Sequence, residues 1–226
     1  MKTSISPATK KEIAVLGANP HRLAVLRLIY SDKKRAAALV RRVKRETELL
    51  LDDSEANQLL TLVRDTHKIK GDIAEAGVYK GGSAKLICEA KKGKKLYLFD
   101  TFNGLPAPGR FSRGLLKAGA LKASFEKVKE YLKGYPGVYI FKGEFPRGSA
   151  AVAGKAFSLV HLDVDTYEGT LSCLKFFYPR LARGGVLLAH DYLCLAGVKK
   201  AFGFFFRNKP EAVIELPGTQ CMLVKL

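Results

Sequence analysis

The pattern of apolar and polar positions changes character near Gly71. Before it, apolar residues recur three and four positions apart: Leu23, Leu26, Ile29 and Tyr30, then a narrower stripe of Leu39, Val40 and Val43, then Leu59, Leu60 and Val63. That spacing gathers side chains on one face of a helix. Asn19-Pro20 and Ser31-Asp32 read as breaks between short helices. Asp52-Asp53-Ser54-Glu55 reads as a capping signal that opens a helix running to about His67. Residues 1–50 are therefore expected to form a basic helical segment serving as an accessory cap, and residues 51–226 the main domain.

After Gly71 short apolar runs alternate with helical stretches, the pattern of a parallel sheet covered on both faces. Strands are expected at about 72–76, 95–100, 138–142, 157–163 and 186–190, with helices between them. Two short strands at about 212–216 and 220–225, turning at Pro217-Gly218-Thr219, predict a C-terminal antiparallel hairpin. Tyr167, Leu171, Leu174, Tyr178 and Leu181 are expected to be the buried stripe of one helix. Phe202, Phe204, Phe205 and Phe206 are expected to pack another onto the sheet. The predicted class is α/β and Rossmann-like, with seven mostly parallel strands.

A length of 226 residues with 47% hydrophobic positions suits one globular domain rather than two large ones. No apolar run reaches the roughly 18 residues of a bilayer span, and Met1-Lys2-Thr3-Ser4 leads into charged residues, so a cytoplasmic location is expected. Cys88, Cys173, Cys194 and Cys221 lie far apart with no C-x-x-C pair, and read as reduced and structural. The formal net charge of +18 is less ordinary. Through Arg45 there are 12 basic residues against two acidic ones, so more than half the excess sits in the first segment. Such a segment attracts nucleic acid, an anionic surface or a phosphorylated substrate, or is simply a solvated basic helix.

The first strand runs into Glu75-Ala76-Gly77-Val78-Tyr79-Lys80-Gly81-Gly82-Ser83, and a helix follows directly. Glycines let backbone approach a ligand, and free N–H groups at a helix start attract an anionic group such as a carboxylate. Asp100 closes the second strand, where an acid suits the two hydroxyls of a ribose. The turn lacks both the G-x-G-x-x-G spacing of a dinucleotide binder and the G-K-[ST] ending of a P-loop. S-adenosyl-L-methionine is thus the favoured ligand, against a plainer reading of the turn as tight packing. Glu75, Gly77, Tyr79, Gly81, Ser83, Asp100, Thr101, Phe102 and Asp163 are the expected cofactor-binding residues.

The fourth and fifth strands deliver His161-Leu162-Asp163-Val164-Asp165 and Ala189-His190-Asp191. Carboxyl ends of strands border the ligand crevice of an open α/β sheet, so these groups are expected to converge. Crowded carboxylates repel unless a cation sits among them. A divalent metal is therefore expected on Asp163, His190 and Asp191, with Asp165 as general base for a hydroxyl that the metal makes easier to deprotonate. The alternative for Asp165 is a helix cap. The Gly- and Pro-bearing segment 102–117 is read either as a lid over the substrate or as an ordinary surface loop.

Four blocks resemble the macrocin O-methyltransferase family. They are the stretch from Gly71 to Ser83; Phe99-Asp100-Thr101-Phe102-Asn103-Gly104-Leu105-Pro106; the stretch from His161 to Thr170; and Tyr178-Pro179-Arg180-Leu181 through Gly184-Gly185 to His190-Asp191-Tyr192. The likeness runs from about Arg45 to the C-terminus. It implies a class I, S-adenosylmethionine- and magnesium-dependent O-methyltransferase domain acting on a hydroxyl of a small molecule, a sugar or polyol-type natural product. It also implies Asp163 and the pair after the next strand as metal holders and Asp165 as base. His190 stands where the family usually has an acid, and imidazole suits manganese, iron or zinc better than magnesium. The rival readings are an RNA methyltransferase that uses the basic surface and a non-catalytic nucleotide-binding protein; a homo-oligomer stays open.

Overall fold

The computed structural model describes residues 20–107, 109, 111 and 117–226, and side chains from residue 33 onward. The stripe expected at Leu23, Leu26, Ile29 and Tyr30 lies outside the described side chains, as do Pro108 and Gly114 of the expected lid. Helix α1 spans Pro20–Glu46 without interruption. Proline opens it, as its fixed φ and missing N–H allow at a first helical position. The break expected at Ser31-Asp32 is absent. Neither residue removes an amide or clashes with the preceding turn, each costs only about 0.5 kcal/mol against alanine, and the run through Ala36, Ala37 and Ala38 carries the helix onward.

Ala36, Val40 and Val43, at spacings of four and three, are buried. They share one apolar cluster with Leu59, Leu60 and Val63 of helix α2 (Asp53–Asp65) and with Leu86 and Ile87 of helix α3 (Gly82–Ala90). Helix α1 from Ala36 on is thus built into one face of the molecule. The expected cap on α2 forms as a capping box: the Asp52 side chain accepts from Glu55 N, and the Glu55 side chain accepts from Asp52 N.

Seven strands form one sheet in the order β3-β2-β1-β4-β5-β7-β6. They are β1 (Asp72–Ala76), β2 (Leu96–Asp100), β3 (Val138–Lys142), β4 (Phe157–Leu162), β5 (Leu181–Ala189), β6 (Ile214–Glu215) and β7 (Cys221–Val224). β1 to β5 run parallel and β7 is antiparallel to both β5 and β6, so the expected hairpin is present. Alternation along the strands divides the core between two faces. Leu96 and Leu98 join the cluster of α1, α2 and α3. Tyr97 and Phe99 join the opposite one, beneath α5 (Tyr167–Phe177) and α6 (Ala196–Phe206), while α4 (Phe125–Leu132) adds Val128 and Leu132 to the first.

Three expectations on that second face are corrected. The buried side of α5 is Thr170, Cys173, Leu174 and Phe177, because the helix ends at Phe177. Tyr178 begins a 3₁₀ turn containing Pro179, which breaks the helical register, and Leu181 opens β5 five residues ahead of the expected start. On α6, Phe202 and Phe206 are buried at a spacing of four, whereas Phe204, on the opposite side of the turn, is 57% exposed. Cys88, Cys173 and Cys221 are buried free thiols and Cys194 is an exposed one.

Candidate active site

Parallel strands end together, and the ladder continues just past their ends. Gly77 N donates to Phe99 O (2.9 Å), Asp163 N to Ala76 O (2.8 Å) and His190 N to Leu162 O (2.9 Å). Four adjacent strand ends are thereby locked at one level. A β-carbon on Gly77 would lie 1.8 Å from the Asp163 carbonyl oxygen, and its φ is +88°, so only glycine lets the turn after β1 pass beside β4.

Above these ends lies a cavity of about 1020 Å³. Gly77, Tyr79, Ser83, Asp100, Thr101, Asp163, Asp165, His190 and Asp191 all line it, so the expected cofactor turn and the expected catalytic acids face one space. Three expected cofactor residues do not line it. Glu75, within β1, is fully buried and paired with His161 Nδ1 of β4 at 2.8 Å. Gly81 is the left-handed residue before α3, facing Val128 and Tyr131. Phe102 is buried edge-on to Phe125.

Asp100 is already engaged. Its Oδ2 accepts from Val78 N and Tyr79 N (2.7 and 2.8 Å) and its Oδ1 from Phe102 N (2.6 Å). A carboxylate offers roughly four acceptor positions. Asp100 thus rivets the glycine turn to β2 while still lining the cavity.

The cap of α5 is Thr166, whose side chain accepts from Gly169 N at 3.1 Å, so the capping alternative for Asp165 falls. Asp165 has φ 57° and Asp191 φ 59°. Left-handed backbone is uncommon outside glycine and least unfavourable for Asp and Asn. In both cases it turns a carboxylate back toward the cavity. Burial, the Asp163 charge and a hydrogen bond to Asp191 push the Asp165 carboxyl well above its ordinary range. Burial would also raise Asp191, but the His190 ring 3.2 Å away holds it below the usual carboxylate range.

His190 is the centre of the cluster, with its side chain 10% exposed. Its Nδ1 lies 3.3 Å from Asp163 Oδ1 and 3.2 Å from Asp191 Oδ2, in line with neither, so the atom is buried without a hydrogen bond. Ligand atoms of Asp163, His190 and Asp191 lie within 4.8 Å of one another, a donor set that fits one divalent cation. Burial opposes a charged ring, yet Asp163 and Asp191 outweigh it and raise the His190 pKa to about 12.

Two residues here had no expected role. Glu48, between α1 and α2, lines the cavity and accepts from Tyr79 Oη (3.0 Å) and Lys80 Nζ (2.5 Å). Glu55 reaches His190 Nε2 at 3.2 Å. The capping motif was a visible signal for Glu55, but its partner lies 135 positions away.

A sheet in the order 3-2-1-4-5-7-6 with a glycine turn and acids at its carboxyl edge defines a Rossmann-like class I methyltransferase fold. The family model described as "Macrocin-O-methyltransferase (TylF)" matches residues 54–217, and the chain belongs to that family. It is 27% identical over 170 residues to 8-demethyl-8-(2,3-dimethoxy-alpha-L-rhamnosyl)-tetracenomycin-C 4'-O-methyltransferase of Streptomyces olivaceus, covering 67% of this chain and 64% of that one. It is 26% identical over 151 residues to mycinamicin III 3''-O-methyltransferase of Micromonospora griseorubida, covering 59% of each. The chain thus spans about three-fifths of the length of these relatives. Among solved structures the O-methyltransferase NovP superposes with a TM-score of 0.66 at 22% identity, over 75% of this chain and 78% of that one.

Proposed function

We propose that this chain transfers a methyl group from S-adenosylmethionine to a hydroxyl of a small molecule, a sugar or polyol-type natural product, with help from a divalent cation. The observation that carries it is the convergence of Gly77 and Asp100 with Asp163, Asp165, His190 and Asp191 on one cavity. Family membership and the sugar O-methyltransferases among the relatives support it.

The donor supplies an electrophilic methyl carbon, and a cation lowers the pKa of the acceptor hydroxyl. The glycine turn, fastened by Asp100, holds the donor at the head of α3, whose first turn favours a carboxylate. Asp163 Oδ, His190 Nδ1 and Asp191 Oδ would hold the cation. Burial and the charges of Asp163 and Asp191 keep Asp165 protonated. With those charges offset by a cation that the two hold, Asp165 loses its own proton to solvent and, as a carboxylate, takes the acceptor proton while the oxygen–carbon bond forms and the sulfur–carbon bond breaks. Asn103, Gly104, Leu105, Pro106 and Leu121 line the cavity wall, where they would limit access of water.

Calorimetric titration with S-adenosylmethionine tests the reading: saturable heat is expected from the native chain, with at least ~10-fold weaker binding by Gly77→Ala. No heat from the native chain overturns it.

A further inference from the structure

Glu55 does more than cap a helix. Its Oε1 accepts from Thr219 N and Thr219 Oγ1 (2.8 Å each), and its Oε2 accepts from Asp52 N (3.0 Å) and faces His190 Nε2 (3.2 Å). Thr219 can approach because Gly218 (φ +91°) carries no β-carbon, which would sit 2.7 Å from Glu55 Oε1. Four donors fill the acceptor positions of an acceptor-only carboxylate, so the ring atom facing it must be N–H. Fixing the proton on Nε2 of a neutral imidazole leaves the lone pair on Nδ1. That lone pair would face Asp163 Oδ1 and Asp191 Oδ2 across 3.3 and 3.2 Å with no hydrogen bond in line. Three electron-rich atoms pointed at one another in a buried place need a positive charge between them, which is a proton on Nδ1 in the ion-free site and a metal cation once that proton is displaced.

We propose that Glu55 is a positioning residue that orients His190 as a nitrogen ligand, so that this site takes a transition-metal dication of the manganese, cobalt or zinc class in preference to magnesium. Magnesium favours oxygen donors and gives up its waters reluctantly. Affinity for a site with an imidazole donor rises along the first-row series instead. The purpose of the site rests on the methyl-transfer reading; its metal preference does not.

The test uses the full chain without acceptor. Manganese binding is followed by loss of the free-ion paramagnetic resonance signal, cobalt binding by visible absorption, and magnesium by competition against each. Native protein is expected to bind manganese and cobalt at least ~10-fold tighter than magnesium. His190→Asp, which makes the donors all oxygen, should reverse or erase that preference. Glu55→Gln should weaken cobalt binding by ~10–100-fold, while Thr219→Val, which trims the other side of Glu55, should leave it within about 3-fold of native. Unfolding curves on each variant separate a ligand effect from lost helix capping. Equal or tighter magnesium binding by the native chain, no saturable binding of any of the three ions, or an unchanged preference in His190→Asp overturns the proposal. S-adenosylmethionine calorimetry on the same samples keeps the two readings apart, since donor binding without metal preference sinks only this one, and metal preference without donor binding sinks only the methyl-transfer reading.

Discussion

Asp165 and Gly77 carry opposite kinds of constraint on the same strand ends. Asp165 tolerates a left-handed backbone because its side chain is short and polar, and asparagine tolerates it equally. Asp165→Asn therefore keeps the geometry and removes the proposed base: turnover is expected to fall ~10²–10⁴-fold in a methyl-transfer assay, with donor affinity unchanged by calorimetry. Gly77→Ala has no such refuge, since the new carbon meets backbone rather than a movable side chain. It is expected to disturb β1 against β4 and to lower the thermal midpoint as well as donor binding. Asp163, Asp165, His190 and Asp191 were legible in the sequence because each closely follows a recognisable strand, and strand ends share an edge. Glu48 and Glu55 were not. Their contacts depend on how the α1–α2 linker and the C-terminal hairpin fold back, a long-range fact without a local pattern.

At the scale of elements, local propensity and tertiary packing disagreed where the sequence was misread. Ser31-Asp32 is a weak interruption that the surrounding helix overrides, whereas Pro179 is a strong one that ends the α5 register sooner than the apolar spacing suggests. Helix α1 earns its continuity through burial of Ala36, Val40 and Val43. Val43→Ala removes two methyl groups from a fully buried place and is expected to cost about 2 kcal/mol, read from the chemical-denaturation midpoint. An unchanged midpoint would show that α1 is a detachable cap.

A second element-level anchor is the loop after α6. Glu211 accepts from Tyr178 Oη (2.7 Å) and from Lys225 Nζ (2.5 Å), tying that loop to the last strand. Burial would raise the Glu211 pKa, but the hydrogen bonds from Lys225 and Tyr178 prevail and lower it to about 2, against 4.5 unfolded. A depressed carboxylate pKa contributes stability that is full above the unfolded value and lost as pH falls toward the folded one. Native protein should thus lose stability between about pH 4.5 and pH 2 more steeply than Glu211→Gln, measured by thermal unfolding across that range.

For the whole molecule the contrast is between a strongly cationic chain and an acidic cavity. Among the described residues, the charged side chains lining it are carboxylates and His190, with no lysine or arginine. A phosphate strand finds its attraction on the outside and repulsion at the chemistry. Filter binding of unstructured RNA is expected to be weak and to fall steeply with salt; tight saturable binding at physiological salt would revive the RNA-directed reading. No described helix is long and apolar enough to cross a membrane.

The clasp of Glu48 by Tyr79 and Lys80 joins these two halves of the electrostatics. It sits two residues beyond the end of the basic helix α1 and directly on the glycine turn. The C-terminal end of that helix, with Lys44 and Arg45 in its last turn, is therefore tied to the cavity wall. A ligand that shifts the glycine turn would be felt at the end of that helix through one shared carboxylate.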